Sequence, residues 1–229
     1  MEKAIIYQIF TRLFGNTNTT RKHNGTLTDN GCGKLNAFTP AVLRRIKELG
    51  ATHVWYTGVI RHATTTDYTR YGIPRQHPAV VKGNAGSPYA ITDYYDIDPD
   101  LATNVEKRMN EFESLVKRTH KAGLKMIIDF VPNHVARQYK STAKPKGIAD
   151  FGENDNTGMQ FSPQNNFYYC PEQSFAADID LYHGEELPYE EFPAKATGND
   201  CFGNRPGRND WYETVKLNYG VDYCDAGGV

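Results

Sequence analysis

The sequence has few cysteines and no long apolar run, and these absences exclude whole classes of protein. Its 229 residues include four cysteines that form no Cys-x-x-Cys pair, so neither a zinc site nor a disulfide framework is predicted. No stretch approaches the roughly 20 apolar residues that a membrane-spanning helix needs. The apolar start, Met1–Phe10, continues into Thr11 and Arg12, which favours a first strand over a signal peptide. We therefore expect a cytoplasmic protein with free thiols and no membrane partner.

The chain also lacks an excess of charge of either sign and several well-known catalytic motifs. Its formal net charge is −1, which gives no electrostatic basis for a nucleic-acid partner or an acidic membrane surface. The first strand is not followed by a G-x-G-x-x-G loop, so a dinucleotide site is not predicted. Neither H-E-x-x-H nor G-x-S-x-G occurs, which argues against a zinc protease and a serine hydrolase.

Aromatic residues, by contrast, are plentiful. The sequence contains 15 Tyr, 11 Phe and 2 Trp, many of them in stretches rich in Gly, Asn, Asp and Pro. Such rings have an apolar face and often a polar edge. They suit two uses, packing under long loops or stacking against sugar rings, and both remain open at this point.

The first half of the chain alternates between strand and helix patterns. Strands are predicted at Ile5–Phe10, His53–Ile60 and Leu124–Val131. One helix should start at Thr39-Pro40 and end at Gly50, and a second should run from a capping box at Thr103–Glu106 to Gly123. This alternation predicts a parallel α/β sheet.

After the third strand the pattern changes. Residues 135–215 show no sustained periodicity and are rich in Gly, Asn, Asp, Pro and Tyr. A structureless loop of this length is improbable inside a compact domain. The segment therefore represents either a small irregular domain or a disordered tail, and its aromatic content favours order.

One short motif carries most of the functional information. The segment Leu124–Ile128 reads as a buried parallel strand, and Asp129–His134 follows it with the sequence Asp-Phe-Val-Pro-Asn-His. In an α/β barrel, the carboxyl ends of the strands build the active site. The motif thus places a carboxylate, an amide and an imidazole where chemistry is expected.

This hexapeptide resembles the D-x-V-x-N-H block of the α-amylase family of glycoside hydrolases. The order of the preceding strands is similar to that family, and Tyr89–Pro99 resembles its G-Y-x-x-x-D-Y segment. Trp211–Asn218 resembles a short block near the end of the family's domain B. The resemblance implies a partial TIM (β/α)8 barrel containing the first three strands, with an irregular inserted domain B. It assigns residues 1–134 to the barrel, 135–217 to domain B, and 218–229 to the start of the return to the barrel.

The resemblance also implies roles for individual residues. Tyr89 matches an aromatic that stacks under the substrate sugar, and His134 matches a histidine that hydrogen-bonds the same sugar. Asp129 matches a supporting aspartate, not the nucleophile. Asn133 matches a residue that in many relatives gives an oxygen to a structural Ca²⁺, although an Asn that caps its own turn suits the position equally well.

The implied function is retaining cleavage of α-glycosidic bonds in starch-like glucans or maltooligosaccharides. Gly86 stands where many exo-acting relatives have an aspartate, which favours a polymer- or oligosaccharide-cleaving type. No residue matches the family's nucleophile, general acid or third carboxylate, and neither Asp222 nor Asp225 has the G-x-R-x-D context of the nucleophile. We therefore expect the catalytic carboxylates and the remainder of the barrel in a longer parent protein, with this chain inactive alone.

Two other interpretations remain open at the level of sequence. The first is a non-catalytic carbohydrate-binding protein built on the same partial barrel, which the aromatic loops would suit equally well. The second is a barrel enzyme of different chemistry with a chance D-x-V-x-N-H motif. Sequence downstream of the chain would discriminate the first from an enzyme, and loss of sugar binding on substitution of Tyr89 would argue against the second.

Overall fold

The computed structural model describes residues 3–177 and 188–223 of the chain. These residues form two compact units, each assembled from several segments. The first unit contains Met1–Arg61, Thr66–Ile73 and Tyr94–Phe130, and the second contains His62–Thr65, Pro74–Asp93 and Val131–Val229. No helix among the described residues has the length and apolar character that a membrane span requires.

A three-stranded parallel sheet organises the first unit. Its strands are β1 (Ile6–Phe10), β2 (His53–Thr57) and β5 (Lys125–Ile128), in the spatial order β1-β2-β5. The register aligns Ile6 with His53 and His53 with Lys125, and every pair is parallel. The predicted parallel α/β arrangement of these three strands is therefore observed.

Three helices occur among the described residues: α1 (Leu27–Asn30), α2 (Pro40–Glu48) and α3 (Arg108–Lys121). The start of α2 is as predicted, because the Thr39 side chain accepts a hydrogen bond from the Val42 amide and Pro40 occupies the first helical position. Thr39 thus satisfies one of the amide donors that a helix start leaves without a partner.

The predicted capping box before α3 is wrong. Residues Val105–Lys107 form a 3-10 turn, and α3 itself begins at Arg108. The backbone amides of Thr103 and Asn104 donate instead to the carboxylate of Glu111. Glu111 is the fourth residue of α3 and its two carboxylate oxygens satisfy both amides, while the Glu106 amide donates to the Asn104 side chain.

The second predicted strand is also divided. β2 stops at Thr57, and β3 (Ile60–His62) is a separate strand that pairs with β4 (Ile91–Ile97). Gly58 lies between β2 and β3 with a φ of +77°. This left-handed conformation is open to glycine and turns the chain out of the parallel sheet.

The core of the first unit is formed where the helices cover the sheet. Phe38 is fully buried, stacks on Phe14 with ring centroids 4.5 Å apart, and meets the edge of Tyr56 at 4.9 Å. The Tyr56 hydroxyl lies 2.7 Å from the Thr119 hydroxyl of α3, so this buried polar group is satisfied. Further fully buried apolar side chains are Leu35, Leu43, Val54, Leu101 and Leu115.

The prediction that Leu124–Ile128 is a buried strand is wrong for most of its length. Leu124 is buried, but Lys125 is exposed and Ile128 is 38% exposed. Within the described residues, β5 pairs only with β2 and is therefore an edge strand of this sheet. Its apolar side chains are consequently covered less well than those of the central strand β2, where Val54 and Tyr56 are fully buried.

The second unit contains short strands connected by long loops. β6 (His134–Ala136) pairs with β9 (Thr214–Lys216), and β7 (Tyr169–Cys170) pairs with β8 (Ala194–Lys195), both antiparallel. Cys170 of β7 and Ala194 of β8 form an apolar cluster with Val80 and Phe175. The described part of 135–215 is therefore an ordered irregular structure and not a disordered tail.

The larger architecture stays a prediction. A parallel sheet of three strands with helices on it occurs in several α/β folds, so it does not by itself establish a (β/α)8 barrel. The predicted division at residues 134 and 217 is likewise untested. Of the return segment predicted at 218–229, residues 224–229, including Cys224 and Asp225, lie outside the described residues.

Candidate functional site

Asp129 lies directly after β5 and connects the ends of two strands. Its Oδ1 accepts a hydrogen bond of 2.6 Å from the Trp55 indole, and its Oδ2 accepts one of 2.7 Å from the Gly58 amide. Both donors belong to β2 or to the turn that follows it. Each carboxylate oxygen is thus engaged within the first unit, and the supporting role of Asp129 stays a prediction.

Substitution of Asp129 by alanine should lower the free energy of unfolding by about 3 kcal/mol. The change removes two charge-assisted hydrogen bonds and leaves the Gly58 amide without its acceptor. Urea denaturation monitored by circular dichroism measures the effect. Asp67→Ala is the matched control, because Asp67 is exposed and also accepts from a backbone amide; equal losses in the two variants would contradict a special role for Asp129.

His134 opens β6 and is held in a closely packed position. Only 4% of the residue is exposed, and its ring meets the Trp211 indole edge-on, with centroids 5.2 Å apart. The imidazole also hydrogen-bonds the backbone of Tyr89. Burial, aided by the positive charge of Lys216 and opposed by the bond to Tyr89, lowers the pKa of His134 below its ordinary value. The lowered pKa favours the neutral imidazole, which has one donor and one acceptor nitrogen.

Gly198 makes the position of His134 possible. A Cβ placed on Gly198 would lie 2.8 Å from the His134 Cβ and 2.6 Å from the Thr214 hydroxyl oxygen. Carbon atoms do not approach this closely in packed interiors, so only glycine fits at position 198. Gly198 is a site residue that the sequence analysis missed, because a glycine in a Gly-rich segment carries no signal of what it packs against.

Tyr89 lies in the loop before β4 and is partly exposed. Its amide donates to the Ser87 hydroxyl at 3.3 Å, and its backbone bonds to the His134 ring. The structure therefore brings together Tyr89 and His134, the two residues predicted to bind sugar. Trp211, from the block that resembles the end of domain B, joins them through its contact with His134 and is 40% exposed.

Gly86, three residues before Tyr89, is fixed by a close approach of the backbone. Its φ is +71°, and a Cβ there would lie 1.7 Å from the carbonyl oxygen of Ala63. No residue with a side chain can occupy position 86 without movement of the surrounding backbone. An aspartate at this position is therefore incompatible with the observed conformation of the loop.

Asp93, the aspartate of the segment that begins at Tyr89, has a structural environment. It is fully buried and accepts hydrogen bonds from the Ser141 hydroxyl and from the amides of Thr142 and Ala143, at 2.7, 2.8 and 3.1 Å. The carboxylate therefore holds the 141–143 loop in place and is not available to a ligand.

Asn133 is exposed, and its carbonyl oxygen accepts the Leu217 amide at 3.1 Å. Among the described residues, no group of three or more His, Cys, Asp or Glu side chains is arranged to hold a metal ion. A Ca²⁺ ion takes six to eight oxygen ligands, and the described residues do not assemble a carboxylate-based set of that kind here. We assign no chemistry to a metal, and the Ca²⁺ role of Asn133 stays a prediction.

Comparison with known proteins places this geometry in context. A family model described as "Alpha amylase, catalytic domain" matches residues 8–188. Trehalose-6-phosphate hydrolase of Bacillus subtilis (strain 168) is 32% identical over 139 residues, and Maltase A2 of Drosophila melanogaster is 28% identical over 174 residues. These alignments cover 61% and 72% of this chain.

The chain spans 18% and 24% of the lengths of these two relatives. Among solved structures, an α-amylase from Lactobacillus plantarum is similar with a TM-score of 0.41 and 28% identity, over 61% of this chain and 24% of that one.

Proposed function

This chain belongs to the α-amylase catalytic-domain family, and from that premise we propose that it supplies a sugar-binding part of a retaining α-glycosidase. The substrates proposed are starch-like glucans and maltooligosaccharides. The relatives named above carry the names of glycoside-cleaving enzymes, and they are matched over only part of their length. The activity of a whole protein that contains this chain is accordingly part of the proposal.

The observation that carries the proposal is the arrangement of Tyr89 and His134. The imidazole has a lowered pKa, packs against Trp211 and bonds the Tyr89 backbone, while Tyr89 is partly exposed. A tyrosine face packs well against the C–H face of a pyranose ring, and a neutral imidazole suits a sugar hydroxyl. In the proposed site the partly exposed Tyr89 provides a stacking surface, and the imidazole of His134, of which only 4% is exposed, provides one hydrogen-bonding group.

Retaining cleavage needs a nucleophile and an acid/base carboxyl group about 5 to 5.5 Å apart. We assign neither role to a carboxylate of this chain. Asp93, Asp96 and Asp100 are buried and hydrogen-bonded: Asp96 is paired with Arg61 and Arg108, and Asp100 accepts from the Tyr68 hydroxyl. In the proposed mechanism the chain binds and orients a sugar, and the reacting carboxylates come from elsewhere in the barrel.

The glycine at position 86 supports the proposal that the substrates are oligosaccharides or polymers. An aspartate that would hold a terminal glucose is absent there, and the backbone leaves no room for one. We therefore propose that maltopentaose binds more tightly than maltose.

Binding of maltopentaose to the 229-residue protein, followed by isothermal titration calorimetry, tests the proposal. Tyr89→Ala should weaken binding by about three- to tenfold, since a stacked aromatic pair contributes about 0.5–1.5 kcal/mol. Tyr89→Phe should bind like the unaltered protein because the ring is kept. Tyr71→Ala is the control, since Tyr71 is a partly exposed tyrosine of the first unit.

Two results would contradict the proposal: an equal loss of affinity in Tyr89→Ala and Tyr71→Ala, or no binding of maltopentaose by the unaltered protein. Either result would favour a barrel protein of other chemistry. Hydrolysis of maltopentaose by a longer protein that contains this chain and the rest of the barrel decides the remaining alternative. Binding without hydrolysis by any protein that contains this chain would support the non-catalytic carbohydrate-binding interpretation.

A further inference from the structure

A groove of about 380 Å³ lies between α2 and α3 in the first unit and shares no residue with the candidate sugar site. It is lined by Pro40, Arg44 and Lys47 of α2 and by Arg118, Lys121 and Ala122 at the end of α3. Its volume is within the range of about 300–1,000 Å³ that small-molecule sites occupy. Four of its six lining residues are basic and none is acidic.

The basic side chains converge on the groove from both helices. A Cβ placed on Gly123 would lie 3.9 Å from the Lys47 Cε, so the Lys47 side chain extends from α2 to the end of α3. Arg118 donates to the carbonyl oxygens of Leu35 and Phe38, at 2.9 and 3.1 Å, and is thereby held in position. The positive charge in the wall of the groove is therefore partly pre-organised.

The other three cations are not neutralised by carboxylates. No carboxylate within the described part of the chain forms an ion pair with Arg44, Lys47 or Lys121. Glu48, the only acidic residue of α2, does not line the groove. Because the whole chain has a formal net charge of −1, this local excess of positive charge does not reflect a generally basic protein.

Helix ends provide a simpler reason for some of these cations, since Lys47, Arg118 and Lys121 lie in the last turns of α2 and α3. The partial negative charge of a helix C-terminus is about half an elementary charge. The four formal positive charges around the groove exceed what two helix ends offset. Favourable placement at each helix end also does not explain why the side chains line one shared groove.

We propose that this groove binds a small phosphate-bearing anion. A phosphate group carries nearly two negative charges near neutral pH and offers oxygens in the geometry that guanidinium and ammonium groups recognise. The aliphatic stems of the lysines and the ring of Pro40 supply an apolar wall for the rest of such a ligand. The proposal is independent of the sugar site, because it uses none of the same residues.

Calorimetric titration with inorganic pyrophosphate, and separately with glucose 6-phosphate, tests this at low ionic strength without added metal. Both ligands contain the proposed chemistry, and the tighter binder identifies the source as an inorganic or a sugar-linked phosphate. Glucose, which lacks the charge, should not bind at this groove. Affinity should fall as salt is added, because exposed charges are screened.

The double variant Lys47→Ala/Lys121→Ala should weaken binding by about tenfold or more. Arg45→Ala/Lys125→Ala removes the same charge from exposed positions outside the groove and should change the affinity by less than about twofold. Unchanged thermal unfolding midpoints establish that both double variants are folded. Equal losses in the two double variants, or no binding of either phosphate ligand to the unaltered protein, would overturn the proposal.

Discussion

Replacement of Arg137 by alanine should lower the free energy of unfolding by about 4 kcal/mol, the largest single loss we expect from a polar side chain of this protein. Arg137 is 3% exposed, and its guanidinium pairs with Glu191 at 2.7 Å. It lies over the Phe175 ring, with its central carbon 4.3 Å from the ring centroid. Removal of the side chain leaves both a cavity and a buried carboxylate that has lost its closest cation.

The same guanidinium also satisfies three backbone carbonyl groups from two separate segments. It donates to the carbonyl oxygens of Tyr212, Lys195 and Thr214, at 2.6, 3.2 and 3.1 Å. Short strands such as β8 and β9 make few hydrogen bonds of their own. Arg137 therefore replaces part of the backbone hydrogen bonding that a larger sheet would provide. Arg137→Lys should keep only part of the stability that Arg137→Ala loses, because lysine lacks the planar guanidinium group.

The loss of unfolding free energy in Arg137→Ala should depend on pH. Burial tends to raise the pKa of Glu191, but the charges of Arg137 and Lys195 outweigh it and hold that pKa below its ordinary value of 4.5. A carboxyl group with a lowered pKa contributes stability above the unfolded value, and this stability is lost as pH falls through the folded value. The difference in the free energy of unfolding between the unaltered protein and Arg137→Ala should therefore become smaller below pH 4.5.

Urea denaturation at several pH values measures both the loss of unfolding free energy and its dependence on pH. Lys140→Ala is the control for the removal of an ion pair, because Lys140 is 59% exposed and pairs with Asp150 at 2.8 Å. Its unfolding midpoint should remain close to that of the unaltered protein. A similar midpoint shift in Lys140→Ala and Arg137→Ala would show that burial of the Arg137 pair does not matter.

Gly86→Asp should be the most damaging substitution near the candidate sugar site, with a loss of at least about 3 kcal/mol in the free energy of unfolding or failure to fold. The new Cβ would overlap the Ala63 carbonyl oxygen at 1.7 Å, and the backbone would have to leave its φ of +71°. Movement here displaces the loop that leads to Tyr89. Maltopentaose binding should therefore be lost together with stability.

Gly86→Ala and Gly72→Ala separate the cost of the steric overlap from the cost of the backbone strain. Gly72 has a φ of +73° and nothing within 4 Å of a Cβ, so its substitution costs only the backbone strain of about 1 kcal/mol. Gly86→Ala adds the overlap with Ala63 and should cost about 2 kcal/mol more. Equal unfolding midpoints for the two alanine variants would indicate that the loop around Gly86 relaxes freely.

The elements that sequence could predict are those fixed by neighbours in the chain. Thr39 and Pro40 mark the start of α2 because capping depends on residues three positions apart. The resemblance assigned Tyr89 and His134 to one sugar, and the His134 ring hydrogen-bonds the Tyr89 backbone; their sugar-binding roles stay predictions.

Features that depend on distant residues were missed. Glu111 and not Glu106 captures the amides before α3, because the reach of a carboxylate depends on where the helix begins. The fit of Gly198 against His134 joins residues 64 positions apart. Neither arrangement has a local pattern, so neither could be read from the sequence.

The two hydrogen bonds of Asp129 have a consequence for how the adjoining loop can change. Because Trp55 and Gly58 occupy both carboxylate oxygens, the point at which the chain leaves β5 is set by groups outside that loop. Substitutions or insertions after Phe130 can therefore alter the loop without shifting its origin. In protein engineering, Trp55 and Asp129 are therefore to be retained as a pair when the loop after β5 is altered, and His134 is to be kept wherever sugar binding is wanted.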